Sequence, residues 1–137
     1  WVAYTACSLH QKNLFTGWKK EGEAWYYYDE SGVPVKGQWS YINGRWYAFD
    51  DSGRMIKGWF KSAGDWYYLG EDGGMLSGQW LQDKGKWYYL TKSGLMATNA
   101  KVKKAKSEGF DYVGADGVYD PVKSLLIGRD SRIEVVE

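Results

Sequence analysis

The chain has 137 residues, 18 basic and 17 acidic side chains and a net charge of +1, a length suited to one domain and a balance that excludes nucleic acid as the main partner, since phosphate binding needs clustered positive charge. Its one short basic cluster, Lys103, Lys104 and Lys106, reads as a solvated segment. A single cysteine, Cys7, excludes an internal disulfide, and no stretch approaches the roughly 18 apolar residues of a membrane span, so no membrane insertion is expected.

The aromatic content stands out, with Trp 9, Tyr 12 and Phe 4 beside Gly 18. A core of Leu, Ile and Val would not have this composition, so rings are required at fixed places. In chain order, residues 1–16 form an irregular N-terminal repeat or a linker, and the start at Trp1 rather than Met is that expected of a fragment or a processed form. Four repeats follow, over 17–36, 37–57, 58–77 and 78–98. Within each, two tryptophans stand seven residues apart: Trp18 and Trp25, Trp39 and Trp46, Trp59 and Trp66, Trp80 and Trp87. A glycine follows each second Trp by seven residues, at Gly32, Gly53, Gly73 and Gly94. The recurrence of two fixed spacings in four copies marks an internal repeat.

Each repeat reads as a β-hairpin. The runs Trp25–Tyr28, Trp46–Phe49, Trp66–Leu69 and Trp87–Leu90 are short and aromatic, as strands are. A glycine sits just before each run, and Asn43-Gly44 is a hairpin-turn dipeptide. No segment holds a helical apolar period. A lone hairpin buries too little surface to be stable, whereas stacked hairpins share a core. The expected fold is all-β: a solenoid of stacked short β-hairpins with aromatic side chains meeting at each junction.

The pattern decays after Thr98. Residues 99–120 look like a degenerate fifth repeat, with Asn99-Ala100 in place of Gly-Trp. Residues 121–137 predict a C-terminal cap hairpin, with strands at Leu125–Ile127 and Arg132–Val136. An exposed terminal hairpin also offers an unpaired edge, so a homodimer contact through this tail is the alternative to a simple cap.

The unit G-(Q)-W-x6-W-Y-x-hydrophobic-x3-G-x-hydrophobic resembles the choline-binding repeats of bacterial and phage cell-wall-binding proteins. The regular resemblance covers Gly17 to Thr98 and extends weakly to about Tyr119. The second Trp of each pair separates it from glucan-binding and clostridial toxin repeats, which usually carry another residue there. The resemblance implies a left-handed solenoid with choline sites between consecutive repeats. Each site uses both tryptophans of one repeat and a tyrosine of the next, over a Met or aliphatic floor. Carried onto this chain, the sites are Trp18, Trp25 and Tyr47; Trp39, Trp46 and Tyr67; and Trp59, Trp66 and Tyr88. Met55, Met75 and Met96 match the floor methionine, while repeat one departs from the motif with Pro34 in that place and Gly22 shifted by one residue. A fourth cage from Trp80 and Trp87 would draw on Phe110 or Tyr112, at the wrong spacing.

These implied sites suit choline chemically. A trimethylammonium group offers no conventional hydrogen-bond donor and cannot lose a proton, so rings must hold it by burying methyls and presenting negative π faces. The implied partner is choline or phosphocholine on cell-wall teichoic acids, outside the cell, with the chain targeting an attached module such as a wall hydrolase. Two further functions stay open: an α-glucan-binding module that stacks sugars on rings, and a toxin-type receptor-binding repeat. A further alternative is that the rings merely fill a core.

No catalysis, cofactor or metal is expected of this chain. Cys7 and His10 are near neighbours in sequence without an orienting third group. Asp29, Glu30, Asp50, Asp51, Asp65, Glu71 and Asp72 recur with the turns, where Asp bonds local backbone. Asp116 and Asp120 complete no calcium loop.

Overall fold

The structure, a computed structural model, describes residues 14–127 and 130–137. Expectations for Trp1–Asn13 lie outside the described residues. Two compact units make up the chain: Trp1–Lys57 with Glu71–Gly74, and Gly58–Gly70 with Met75–Glu137. Both are built of hairpins, so the all-β expectation holds apart from one short helix.

The first unit holds the hairpins β1 (Gly17–Glu21) with β2 (Ala24–Tyr28) and β3 (Gln38–Ile42) with β4 (Arg45–Phe49). The second holds β5 (Gly58–Ser62) with β6 (Asp65–Leu69), β7 (Gln79–Asp83) with β8 (Lys86–Leu90), and β9 (Ala100–Lys103) with β10 (Phe110–Val113). All five pairs are antiparallel.

Turn chemistry sets the register. Asn43-Gly44, Ala63-Gly64 and Lys84-Gly85 take positive φ at both central positions, with φ of 48° and 84°, 51° and 86°, and 51° and 80°. That is the two-residue turn whose twist matches the strands. In repeat one, Gly22 takes φ 62° at the first central position and Glu23 follows without a positive φ. The one-residue shift of that glycine is therefore a change of turn type, with glycine needed first instead of second.

The last residue of each later second strand forms the core: Phe49 is 2% exposed and Leu69, Leu90 and Val113 are 0% exposed. In the first unit Val35, Ile42 and Phe49 cluster with Trp18, Tyr27, Tyr47 and Met55 around them. In the second, Ala97, Ala100 and Val113 cluster with Trp80, Tyr89, Tyr119 and Val136. The segment after each hairpin folds back on it: the amides of Val35, Ile56, Leu76, Ala97 and Asp120 donate to the carbonyls of Tyr27, Ala48, Tyr68, Tyr89 and Tyr112.

The C-terminus corrects one expectation. Leu125–Ile127 is no strand; α1 spans Pro121–Ile127. Asp120-Pro121 starts it, because Pro at the first helical position lacks only an amide that would go unpaired. Asp120 caps it, its Oδ1 accepting from the Lys123 amide at 2.9 Å. These start signals outweigh the β-propensity of Leu125–Ile127. The final strand, β11 (Glu134–Val136), pairs parallel with β9 to give the order β10-β9-β11. The cap hairpin whose free edge suggested a homodimer contact is not formed.

Ala63 and Lys84 carry side chains in the left-handed region, which costs an ordinary L-residue roughly 1–2 kcal/mol. Asn tolerates that conformation, as Asn43 does in the equivalent turn. Ala63→Asn is expected to stabilise the chain by about 0.5–1 kcal/mol, read as a higher urea midpoint with unchanged slope.

Candidate functional site

The spacing of the two tryptophans becomes a geometry once the hairpin closes. In β5–β6, Trp59 lies opposite Tyr68 and Lys61 lies opposite Trp66. Side chains alternate between faces along a strand, so Trp59 and Trp66 share one face as diagonal neighbours, close enough for large rings to touch. Their centroids are 6.4 Å apart with ring planes at 88°. Trp18 and Trp25 repeat this at 6.4 Å and 82°.

The tyrosine after a second Trp points to the opposite face of its own hairpin, and Tyr47 and Tyr88 so serve another repeat. Tyr88 reaches Trp59, with centroids 4.9 Å apart at 70°. Tyr47 reaches Trp18 at 4.9 Å and 69°. Backbone bonds fix these junctions: the Met55 amide donates to the Trp25 carbonyl and the Met96 amide to the Trp66 carbonyl, both at 2.8 Å.

The structure thus brings Trp18, Trp25 and Tyr47 together in the first unit, with Met55 packed on Trp18 and Tyr47's cluster. In the second unit Trp59, Trp66, Tyr88 and Met96 line one hollow of about 270 Å³. Trp39 and Trp46 are carried by β3 and β4, and Tyr67 by β6. Pro34 bridges to Tyr28, in the register that Met55 holds against Phe49. The methionine packed with the Trp18 trio is Met55.

The two tryptophans of a pair do different work. Trp18 and Trp59 are packed by tyrosines, at 5.1 Å from Tyr27 and Tyr68 respectively. Trp59 is oriented further, its Nε1 donating to Asp83 Oδ2 at 3.0 Å. The second tryptophans are open: Trp25, Trp46, Trp66 and Trp87 are 37%, 43%, 40% and 42% exposed. Rings that only filled a core would not leave that much indole in water beside a hollow.

The Trp-to-Gly spacing has a physical cause too. Gly73, Gly94 and Gly117 take left-handed φ values of 84°, 90° and 81°. A Cβ on Gly73 would overlap Met55, and one on Gly117 would lie 2.6 Å from Met96 Sδ. The thioether of one repeat therefore lies across the turn glycine of the next.

Asp116, just before Gly117, also lines the third hollow, its Oδ1 held by the Val118 amide at 3.0 Å. The sequence pointed to it only as part of a calcium loop that it does not complete. Asp72 is its counterpart before Gly73, and there Arg45 Nη1 reaches the carboxylate at 2.6 Å. The hydrogen bond from the Arg45 guanidinium holds the Asp72 carboxyl below its usual range. One carboxylate is thus neutralised beside Met55 and the other faces its hollow.

Phe110 and Tyr112, which stood at the wrong spacing for a fourth cage, are not the residues found beside Trp80 and Trp87. Asp111 and Tyr119, with Trp80 and Trp87, line a hollow of about 290 Å³. Val113 bridges to Tyr119 as Leu90 bridges to Met96, and the Tyr119 amide donates to the Trp87 carbonyl as Met96 does to Trp66. Tyr119 therefore occupies the methionine position and Asp111 the tyrosine position. The signal was present: Tyr119 follows Gly117 by two residues, as Met96 follows Gly94. Phe110 takes the register of a second Trp and Lys101 that of a first, with Lys101 Nζ 4.7 Å from the Phe110 centroid. The terminal hairpin carries its own ammonium over its own ring.

The sequence comparisons agree with this geometry. A choline-binding repeat model matches residues 35–80 and 63–100, and a putative cell wall binding repeat model matches 16–33. These define a cell-wall-binding repeat module, and the chain belongs to the choline-binding repeat family. The fold is similar to choline binding protein F from Streptococcus pneumoniae, with a TM-score of 0.63 and 36% identity over 77% of this chain and 34% of that one. It is also similar to the multimodular pneumococcal cell wall endolysin from phage Cp-1 complexed with choline, with a TM-score of 0.61 and 33% identity over 71% of this chain and 28% of that one. The chain spans about a third of the length of these structures. No curated protein matches it in sequence. The matched model is a choline-binding repeat, and the similar endolysin is multimodular. Among the described residues no group of His, Cys, Asp or Glu is arranged to hold a metal, and no helix is long and apolar enough to cross a membrane.

Gly117→Ala is expected to cost about 1–3 kcal/mol, from a left-handed φ and a Cβ pressed on Met96. Thermal melting reads the loss.

Proposed function

We propose that this chain anchors an attached module to the bacterial wall by binding choline groups of teichoic acids in aromatic cages between repeats. The cages are Trp18, Trp25 and Tyr47 over Met55, and Trp59, Trp66 and Tyr88 over Met96. The observation that carries this is the third hollow: two indoles at 88° and a phenol around about 270 Å³, with the outer indole 40% exposed. Its volume lies just below the range of drug-sized ligand sites, about 300–1,000 Å³, as a small trimethylammonium group requires.

Ring orientation favours an ammonium over a glucan. A sugar stacks on one flat face, whereas perpendicular rings enclose a rounded cation from several sides. Each ring contributes about 0.5–2 kcal/mol, so three give roughly millimolar affinity. Several such sites on one polymer gain ~10²–10⁴ in avidity, which makes the number of repeats part of the mechanism.

The test is a tryptophan-fluorescence titration with choline, beside retention on a quaternary-amine resin. Free choline is expected to elute the chain and dextran is not; elution by dextran alone would favour the glucan-binding alternative. Trp66→Ala is expected to weaken the third site about tenfold or more, with the other sites still responding. Unchanged choline-induced shifts in that variant would remove the site assignment. Choline at a hundred times its Kd is expected to stabilise the fold by about 2.7 kcal/mol per site, read as a rise in Tm.

A further inference from the structure

The hollow against repeat four has a composition that the repeat motif does not specify. Trp80 and Trp87 supply the indole pair, and Tyr119 enters from the methionine position with its ring 5.9 Å from Trp80 at 75°. Asp111 stands where the other repeats place a tyrosine, and its carboxylate lines the same hollow. The number of rings stays at three, because the ring lost at one register position returns at the other. A formal negative charge is added at a ring position, whereas the carboxylate of the third hollow, Asp116, comes from a turn.

We propose that this hollow is a fourth ammonium site, in which Asp111 draws the cation by charge and accepts an N–H where the ligand has one. The inference rests on the reading of the other cages as ammonium sites, and extends it to a different ligand class. An all-ring cage gains from methyl contacts and π faces alone. A carboxylate adds a charge-assisted hydrogen bond to any ammonium that keeps a proton. The fourth hollow therefore takes incompletely methylated amines as well as choline.

A built-in competitor is present. Lys104 Nζ lies 3.8 Å from Asp111 Oδ1, and the two side chains are 39% and 22% exposed. That pair is long and lies partly in water, so it is weak, and the Lys104 ammonium can return to solvent when a ligand cation takes its place. Another cation of this hairpin, Lys101, is engaged with Phe110 and donates to the Asp130 carbonyl at 2.9 Å. The two partners of Asp111 predict opposite mutational effects: losing the carboxylate weakens the site, and losing the lysine strengthens it.

The test is ¹⁹F NMR of the full chain labelled with 5-fluorotryptophan, with Trp66 and Trp87 assigned by Trp66→Phe and Trp87→Phe. Choline is expected to shift both resonances. Asp111→Asn is expected to raise the Trp87 midpoint about fivefold, Lys104→Gln to lower it, and neither to move the Trp66 midpoint. With protonated 2-dimethylaminoethanol, Asp111→Asn is expected to cost more at Trp87 than it does with choline. A Trp87 resonance that stays still while Trp66 shifts overturns the fourth site and leaves the proposed function standing. Silence at both resonances overturns the two together. A Trp87 midpoint that ignores Asp111→Asn, or that Lys104→Gln fails to lower, overturns the part given to the carboxylate. An equal loss for the two ligands overturns the part given to the N–H.

Discussion

Everything in these repeats follows from the diagonal contact of two indoles across a two-residue hairpin turn. The turn fixes which residues face one another, and the pleat puts both rings of a pair on one face. Trp59 and Trp66 end perpendicular because large rings at that diagonal avoid face-to-face stacking. The inner ring is then clamped by tyrosines and, for Trp59, by the Asp83 carboxylate. The outer ring is left half in water. One pair thus supplies both packing and a wall for a ligand, and the choice between core filler and cage is not exclusive.

The second constraint is the passage of a methionine over a turn glycine. Met55 over Gly73 and Met96 over Gly117 leave no room for a Cβ, and the same glycines hold left-handed φ. The turn's closeness places the residue before that glycine beside the methionine. Two carboxylates arise there, Asp72 and Asp116, with different fates. Arg45 takes up the first, and the second faces a cavity. Electrostatic differences among otherwise similar cages enter through these turn positions and, at repeat four, through Asp111 at a ring position.

The terminal hairpin shows how such an array closes. Asn99 replaces the opening glycine and keeps its left-handed φ, at 47°, with its amide on the Gly114 carbonyl as Gly78 binds Thr91. Lys101 replaces the first Trp and sets an ammonium over Phe110. That cation is tethered, so no free ligand is needed to satisfy the ring. β11 then pairs with β9, and Lys92 of repeat four is held to the C-terminus by its ion pair with Glu137 at 3.1 Å.

The sequence alone determined the hairpins and their register, because both depend on short-range spacing: a two-residue turn and the alternation of a strand. The Trp18 and Trp59 trios, which draw a tyrosine from the next repeat, were legible only through the family resemblance. The sequence also held the start of α1, in Asp120-Pro121, and the place of Tyr119, two residues past Gly117, although the decayed motif hid both. Only the tertiary structure decided that Asp111 and Tyr119 exchange roles at repeat four, that Asp116 faces a hollow while Asp72 meets Arg45, and that Lys101 covers Phe110. Those facts depend on which side chains from separate repeats meet across a junction, and a period within one repeat carries no information about the charge of its neighbour.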